Sequence, residues 1–263
     1  MDLQNSTVLI TGGTSGIGLE LVKQLTELGT QIIITGRDQD KLAETQRQFP
    51  NVQTFQSDVS NPQNIRQLYE TVTRQFPDLN IIINNAGEMR LLDLQDTEKS
   101  LEDISREIDI NLSGTIQMVH QFLPQLIKKD SAAVVNVSSG IAFMPYSVAP
   151  VYSASKAGVR AYTQSLRLQL KGSSVKVFEM IPPGVNTNLQ KDWVLPTNES
   201  MMMDVGKMVS VAIKGLQKDQ TELKPFLISV IKLVSRLIPG TLINFGHREF
   251  EKFKQLNSNI IPN

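Results

Sequence analysis

Tyr152 and Lys156, four residues apart in the run Tyr152-Ser153-Ala154-Ser155-Lys156, are the side chains of this sequence best suited to proton chemistry. The run opens a pattern that continues through Val159, Tyr162, Leu166 and Leu170, the spacing of one helix face. Positions i and i+4 share such a face, so the ammonium is expected beside the phenol. There it stabilises the phenolate and lowers a pKa that starts near ~10. A phenol tuned in this way trades protons near neutral pH. An isolated Y-x-x-x-K is more often a surface tyrosine near a lysine, but this one has company elsewhere in the chain.

Near the N-terminus, Val8–Ile10 leads straight into Thr11-Gly12-Gly13-Thr14-Ser15-Gly16-Ile17-Gly18, and Leu19, Leu21, Val22 and Leu25 follow at helical spacing. Strand, glycine turn and helix together make a phosphate cradle. Glycines allow positive φ and a close approach of backbone N–H groups, and the helix N-terminus adds roughly half a positive charge. Leu19 and Glu20 follow Gly18 where a mononucleotide-binding P-loop needs Lys and Ser or Thr, so the pattern points to a dinucleotide. The second strand ends at Thr35-Gly36-Arg37-Asp38, where the adenosine ribose would lie. Arg37 offers a planar fork to a 2′-phosphate, which favours NADP(H). Asp38 on the ribose would favour NAD(H) instead, and a merely solvated Arg37 would favour neither.

Such groups need a scaffold, and the composition supplies one. Of 263 residues, 40% are apolar and 20% charged, enough for a single large core. Short Val- and Ile-rich runs at Val8–Ile10, Ile32–Ile34, Val52–Phe55, Ile81–Ile83, Val134–Val137 and Val175–Ile181 alternate with helical patterns. This predicts an α/β, doubly wound Rossmann fold: a parallel sheet of six to seven strands with helices on both faces, the seventh near Thr221–Lys224. One domain over 1–263 is expected, with a variable substrate lid about 188–215 and a helical C-terminal extension about 225–263. The 26 Lys+Arg balance 26 Asp+Glu without a long run of either sign, which argues against nucleic acid as a partner. With no Cys and two His, a disulfide, a thiolate zinc site and a cysteine nucleophile are excluded, and no metal site is expected. His120 and His247 read as structural. Residues Met1 to Ser6 show no export signal, so the expected location is cytoplasmic.

These motifs, in this order, resemble the short-chain dehydrogenase/reductase family over about residues 5 to 190. Thr11-Gly12-x-x-x-Gly16-x-Gly18 is similar to its cofactor turn, including Thr14, Ser15 and Ile17, and Asn84-Asn85-Ala86-Gly87 to its fourth-strand motif. Asp58-Val59 resembles the pair that holds adenine, and Pro183-Gly184-Val185-Asn186-Thr187 the segment facing the nicotinamide carboxamide. Asn111, Ser139, Tyr152 and Lys156 match the catalytic tetrad. Family spacing selects Ser139 over Ser138, and strand alternation agrees.

The resemblance implies that Ser139 holds the substrate oxygen and Tyr152 donates or removes its proton. Lys156 would tune the phenol and hold the nicotinamide ribose, while Asn111 binds a water relaying protons. It further implies a small-molecule carbonyl or alcohol substrate and a homodimer or homotetramer. The apolar surface for that assembly would come from Ile104, Ile108, Ile116 and Val119 on one long helix and Val159, Tyr162 and Leu166 on another. The competing class is a dinucleotide-binding sensor or scaffold without turnover.

After Lys224-Pro225-Phe226 the family pattern fades into a stripe of Leu227, Val230, Ile231, Val234, Leu237 and Ile238, with Lys232 and Arg236 opposite and Pro239-Gly240 ending the helix. This ending, with Gly36-Arg37, Ser138-Ser139-Gly140-Ile141-Ala142-Phe143 and Ile181-Pro182-Pro183, is similar to the DltE-like branch of bacterial oxidoreductases. The stripe could pack over the substrate site, pair with a second subunit or lie on a membrane, and the first two are favoured. Trp193, Val194, Leu195, Pro196 and Met201–Met203 in the expected lid suggest an apolar substrate, or are core filler.

Overall fold

Alternation within each hydrophobic run decides which side of the sheet every residue serves. Val8 and Ile10 join one buried layer with Ile32, Ile34, Ile81, Ile83, Ala133 and Val135, while Leu9, Ile33, Ile82, Ala132 and Val134 join the other. Runs apolar on both faces form parallel strands covered on both sides. The computed structural model describes residues 1–187, 189 and 202–260. Its strands are β1 (Thr7–Thr11), β2 (Gln31–Gly36), β3 (Gln53–Gln56), β4 (Leu79–Asn84), β5 (Ala132–Val137), β6 (Val175–Met180) and β7 (Glu222–Leu223). All pair in parallel, in the order β3-β2-β1-β4-β5-β6-β7.

The first layer is covered by α1 (Gly16–Glu27), α2 (Gln39–Gln48) and α7 (Val205–Gln217). The second is covered by α3 (Pro62–Gln75), α5 (Gly114–Leu126) and α6 (Pro150–Gln169). Short polar side chains fix where several helices begin. Asp38 accepts from the N–H groups of Asp40 and Lys41 at 3.0 and 3.1 Å, and Asn61 caps α3 ahead of Pro62 at its first turn. Strand order reverses between β1 and β4, which opens a crevice at their C-terminal ends.

Three expectations change. The third strand lies one residue later than Val52–Phe55, because Val52 is spent on the core while Gln53 begins the pairing with Ile33. The seventh strand exists but pairs over two residues only. The lid does not extend to 215: from Val205 onward the chain is α7, which buries Met208, Val209, Ala212, Ile213 and Leu216 against the sheet. Trp193, Val194, Leu195, Pro196 and Met201 lie outside the described residues.

The C-terminal extension forms α8 (Phe226–Leu237) and α9 (Pro239–Ile260), set at 116° to one another. Pro239 ends α8 as expected and also begins α9, where its fixed φ suits a first turn. Of the three readings of the α8 stripe, packing over the substrate site is not what forms. Among the described residues of α8 only Ile228 is buried, and Phe226, Leu227, Val230, Leu233 and Leu237 face outward. It is α9 that folds back: Phe253 is buried against Val148, with Phe250, Leu256, Leu91 and Tyr146 around it.

Candidate active site

The glycine turn is tied to the fourth strand before any ligand is considered. Thr11 Oγ1 accepts from the N–H groups of Asn85 and Ala86, each at 3.0 Å, and Asn85 Nδ2 donates to the carbonyls of Thr11 and Gly12, each at 3.0 Å. The Asn85 side chain therefore shapes the cradle itself. Gly12 and Gly16 take φ of 67° and 53°, the left-handed region that favours glycine. A Cβ at Gly18 would lie 2.1 Å from the Gly12 carbonyl oxygen, so α1 enters closer than any side chain permits. Ser15, at the start of α1, makes no side-chain cap hydrogen bond among the described residues, and the first turn holds no acid. The amides and positive pole of that turn face the crevice unneutralised, which is the donor set that a pyrophosphate requires. Thr187 lies over the same turn, its Cβ 3.3 Å from where a Cβ on Gly16 would be. The Pro183–Thr187 segment thus reaches across from the end of β6.

At the end of β2, Arg37 is half-exposed and its guanidinium stands 3.8 Å from Glu88. Asp38 is turned away into its cap, and the Lys41 amide above all holds its carboxyl below the ordinary range. Asp58 accepts from the Ser60 N–H at 2.9 Å and the Ser60 hydroxyl at 2.7 Å, which sets the turn carrying Val59. Arg37, Phe55, Gln56, Asp58, Leu68 and Thr71 are among the residues lining a cavity of about 480 Å³.

Asn111, Ser139, Tyr152 and Lys156 are all buried. Asn111 lies in a π-helical turn, Asp109–Ser113, between α4 (Leu101–Ile108) and α5. Its amide brackets Glu88, accepting from the backbone N–H and donating to the carbonyl, both at 2.9 Å, and also donates to Ser155 Oγ at 3.0 Å. Its own carbonyl accepts from Thr115 Oγ1 at 2.8 Å. Gly87 separates Asn111 from Lys156: a Cβ there would stand 3.2 Å from Asn111 Oδ1 and 3.5 Å from Lys156 Nζ. Ser138 and Ser139 point opposite ways. The Ser138 hydroxyl donates to Glu179 at 2.7 Å, whereas the Ser139 hydroxyl accepts from the Ile141 N–H at 3.3 Å and acts on the Tyr152 phenol, favouring its charged form.

Tyr152 and Lys156 do share a helix face, but the expected lowering of the tyrosine is not found. Burial pushes Tyr152 up to about 12, against a small lowering by Ser139. Burial also drives Lys156 down to about 8. The lysine ammonium lies 5.7 Å from the phenol ring centre and donates to the Val137 carbonyl at 2.9 Å. Loss of water around two enclosed groups outweighs a charge at that separation.

Several supporting residues carry no motif and were not singled out from sequence. Arg90 binds Asp103 at 2.7 Å and Glu107 at 3.4 Å, and its backbone N–H donates to Glu107 at 2.8 Å. Burial raises the Glu107 carboxyl despite that partner. Arg160 binds Glu179 at 2.8 Å, and its guanidinium carbon sits 4.2 Å over the Phe143 ring. Only an ion pair makes such buried charges tolerable, and the partners are far apart in sequence.

The family model of the short chain dehydrogenases matches residues 6–197. The chain belongs to this family. It is 44% identical to the oxidoreductase DltE of Bacillus subtilis (strain 168) over 191 residues, covering 73% of this chain and 76% of DltE. A short chain dehydrogenase/reductase from Burkholderia phymatum in complex with NAD superimposes with a TM-score of 0.80 at 20% identity, covering 91% of this chain and 96% of that one. One from Burkholderia cenocepacia in complex with NADP gives a TM-score of 0.79 at 23% identity over 92% and 97%. This dehydrogenase is accordingly an NAD(P)-dependent oxidoreductase, and its fold is that of the family.

Beside Tyr152, the wall of the candidate site is apolar. Met89 and Ala149 pack with Tyr152, and Ile141 and Tyr146 close the group. Burial raises Tyr146 to about 12, so it too stays a neutral phenol.

Proposed function

We propose that the enzyme interconverts a carbonyl and a secondary alcohol on a small, largely apolar substrate, with NADP(H) preferred and Tyr152 as general acid/base. The observation that carries this reading is the enclosed group of Tyr152, Ser139 and Lys156 beside an apolar wall. The nicotinamide cofactor, when bound, supplies the hydride. Gly12, Thr14, Ser15, Gly16, Ile17 and Gly18 would hold its pyrophosphate, Asp58 and Val59 its adenine, and Arg37 a 2′-phosphate. Ala86, Gly87, Pro183, Gly184, Val185 and Thr187 would line the nicotinamide half. Ser139 holds the substrate oxygen against the phenol, and Tyr152, protonated at neutral pH, donates its proton to that oxygen. Lys156, charged below about 8, stands on the same face to stabilise the phenolate left behind. The preference for NADP(H) rests on Asp38 being committed to α2 while Arg37 remains available.

The same reading has the enzyme act in the cytoplasm as a homodimer or homotetramer. Ile104, Ile108, Ile116 and Tyr162 remain half-buried, while Val119, Val159 and Leu166 are taken up by the core and give no surface. Light scattering at micromolar protein tests the assembly, and a purely monomeric mass would refute it.

A screen of aldehydes, ketones and secondary alcohols with both cofactors, read by absorbance of the reduced nicotinamide, tests the reaction. On any substrate found, Tyr152→Phe is expected to lose about 10²–10⁴ in rate with NADP(H) affinity nearly unchanged, because it removes one proton donor and little volume. Retention of more than about a tenth of the rate, with chemistry limiting, would remove Tyr152 from the role of acid. Binding of NADP(H) with no turnover across the panel would replace the reading with dinucleotide binding alone.

A further inference from the structure

The apolar face of α8 points away from the protein. Phe226, Val230, Leu233 and Leu237 form a stripe at spacings of four, three and four, flanked by Leu227 and Ile238. Phe226 is 82% exposed, Leu237 70% and Leu233 58%. The opposite face is the one held to the body. Ile228 fills the space over Gly140, where a Cβ would come within 2.8 Å of it, and Lys232 bonds Glu222 at 2.6 Å. An amphipathic helix of a water-soluble fold turns its apolar stripe inward. Here packing and an ion pair fix the helix the other way round.

Charge indicates what covers the stripe. From Phe226 to Arg248 there is no Asp or Glu, although the whole chain is neutral. The cations of this stretch are Lys232, bound to Glu222, and Arg236 and Arg248, both exposed. A second copy packed symmetrically, α8 against α8, would bring cations only to cations. A 12-residue helix is also only about 18 Å long, too short by itself to supply the roughly 800 Å² per partner of a stable interface. Among the described residues, no single helix is long and apolar enough to cross a membrane. An anionic lipid surface meets both requirements, accepting the apolar side chains and pairing with the arginines.

We propose that α8 is a membrane-docking helix that lies in the plane of an anionic lipid surface, with Phe226, Val230, Leu233 and Leu237 below the headgroups and Arg236 among them. The test is co-sedimentation of the full chain with vesicles of phosphatidylcholine alone, or with about a third phosphatidylglycerol. Binding is expected to the anionic vesicles and to fall as salt is raised. Leu233→Glu/Leu237→Glu should weaken it at least about tenfold, since each change puts a charge where an apolar side chain would enter the lipid. Its thermal midpoint and NADP(H) affinity, unchanged, would show the fold intact. Should that variant fail to fold, Arg236→Glu takes its place and should lower binding several-fold on anionic vesicles alone. Absence of wild-type binding, or equal binding by the variants, overturns the proposal. A wild-type dimer that the double variant dissociates, without vesicle binding by either, would assign the face to a second copy.

Discussion

Arg37 and Asp38 are neighbours at the end of β2, yet only one is left to meet a ligand. Asp38 already accepts two amides of α2, so moving it to a ribose would uncap that helix. Among the described residues the half-exposed Arg37 side chain holds a 3.8 Å contact with Glu88, and an exposed pair of that length is worth little. Arg37→Asp is therefore expected to reverse cofactor preference. It replaces a fork that can grip a 2′-phosphate by a carboxylate that repels it, a change of roughly tenfold or more in NADP(H) affinity. Calorimetric titration of both proteins with both cofactors checks this, and equal wild-type affinities would end the claim. At this scale the candidate residues Asn111, Ser139, Tyr152 and Lys156 could be named from sequence, because each motif is short and its spacing is local. The state of Tyr152 was not legible, since its pKa depends on how much water the rest of the fold excludes. The Arg90–Glu107 and Arg160–Glu179 pairs were equally hidden, for each joins residues brought together only by the folded chain.

Among the elements, the contact between β1 and α1 is the tightest constraint on the site. A Cβ at Gly18 would be 2.1 Å from the Gly12 carbonyl oxygen and 2.6 Å from Asn85 Nδ2, and the first of these is backbone that cannot turn aside. Gly18→Ala should therefore push α1 off the turn, with a loss of about 1–3 kcal/mol of stability and a weaker dinucleotide complex. Gly240→Ala is the control. It lies in the first turn of α9, nothing stands within 4 Å of its added Cβ, and helix propensity favours alanine by up to about 1 kcal/mol. Thermal midpoints and a cofactor titration on both variants separate local overpacking from a general intolerance of substitution. Strand and helix order could be read from periodicity because each run is apolar on both faces. The C-terminal helices could not. The stripe of α8 gives the same spacing whether it faces inward or outward, and α9 interleaves Phe250, Phe253 and Leu256 with enough charge to blur its pattern.

For the molecule as a whole, Glu222 is where the C-terminal extension is secured. It sits on β7, the last strand, and binds Lys224, Lys232 of α8 at 2.6 Å and Arg160 of α6 at 3.6 Å, so one carboxylate joins the sheet edge to two helices. Burial opposes its charge, but the hydrogen bonds from Lys224 and Lys232 outweigh this and hold its pKa down to about 2. A carboxyl lowered in the folded state contributes stability above its unfolded value of 4.5, and that contribution is lost as pH falls toward about 2. The full shift would correspond to roughly 3 kcal/mol, and partial exposure with solvent screening reduces this to about 1–2 kcal/mol. Glu222→Gln should accordingly cost about that much at pH 7, and should also flatten the pH dependence. Between pH 5 and pH 3 the wild type is expected to lose about 1 kcal/mol more than the variant in urea unfolding, because the variant has no proton to take up at this position. Hydrogen exchange would locate the change, with protection falling first along α8 and its contact with Gly140 rather than in the β1–β4 centre of the sheet. Identical pH dependence in the two proteins would mean that the extension is held by Ile228 and Phe253 packing alone, and that the charge cluster contributes nothing to it.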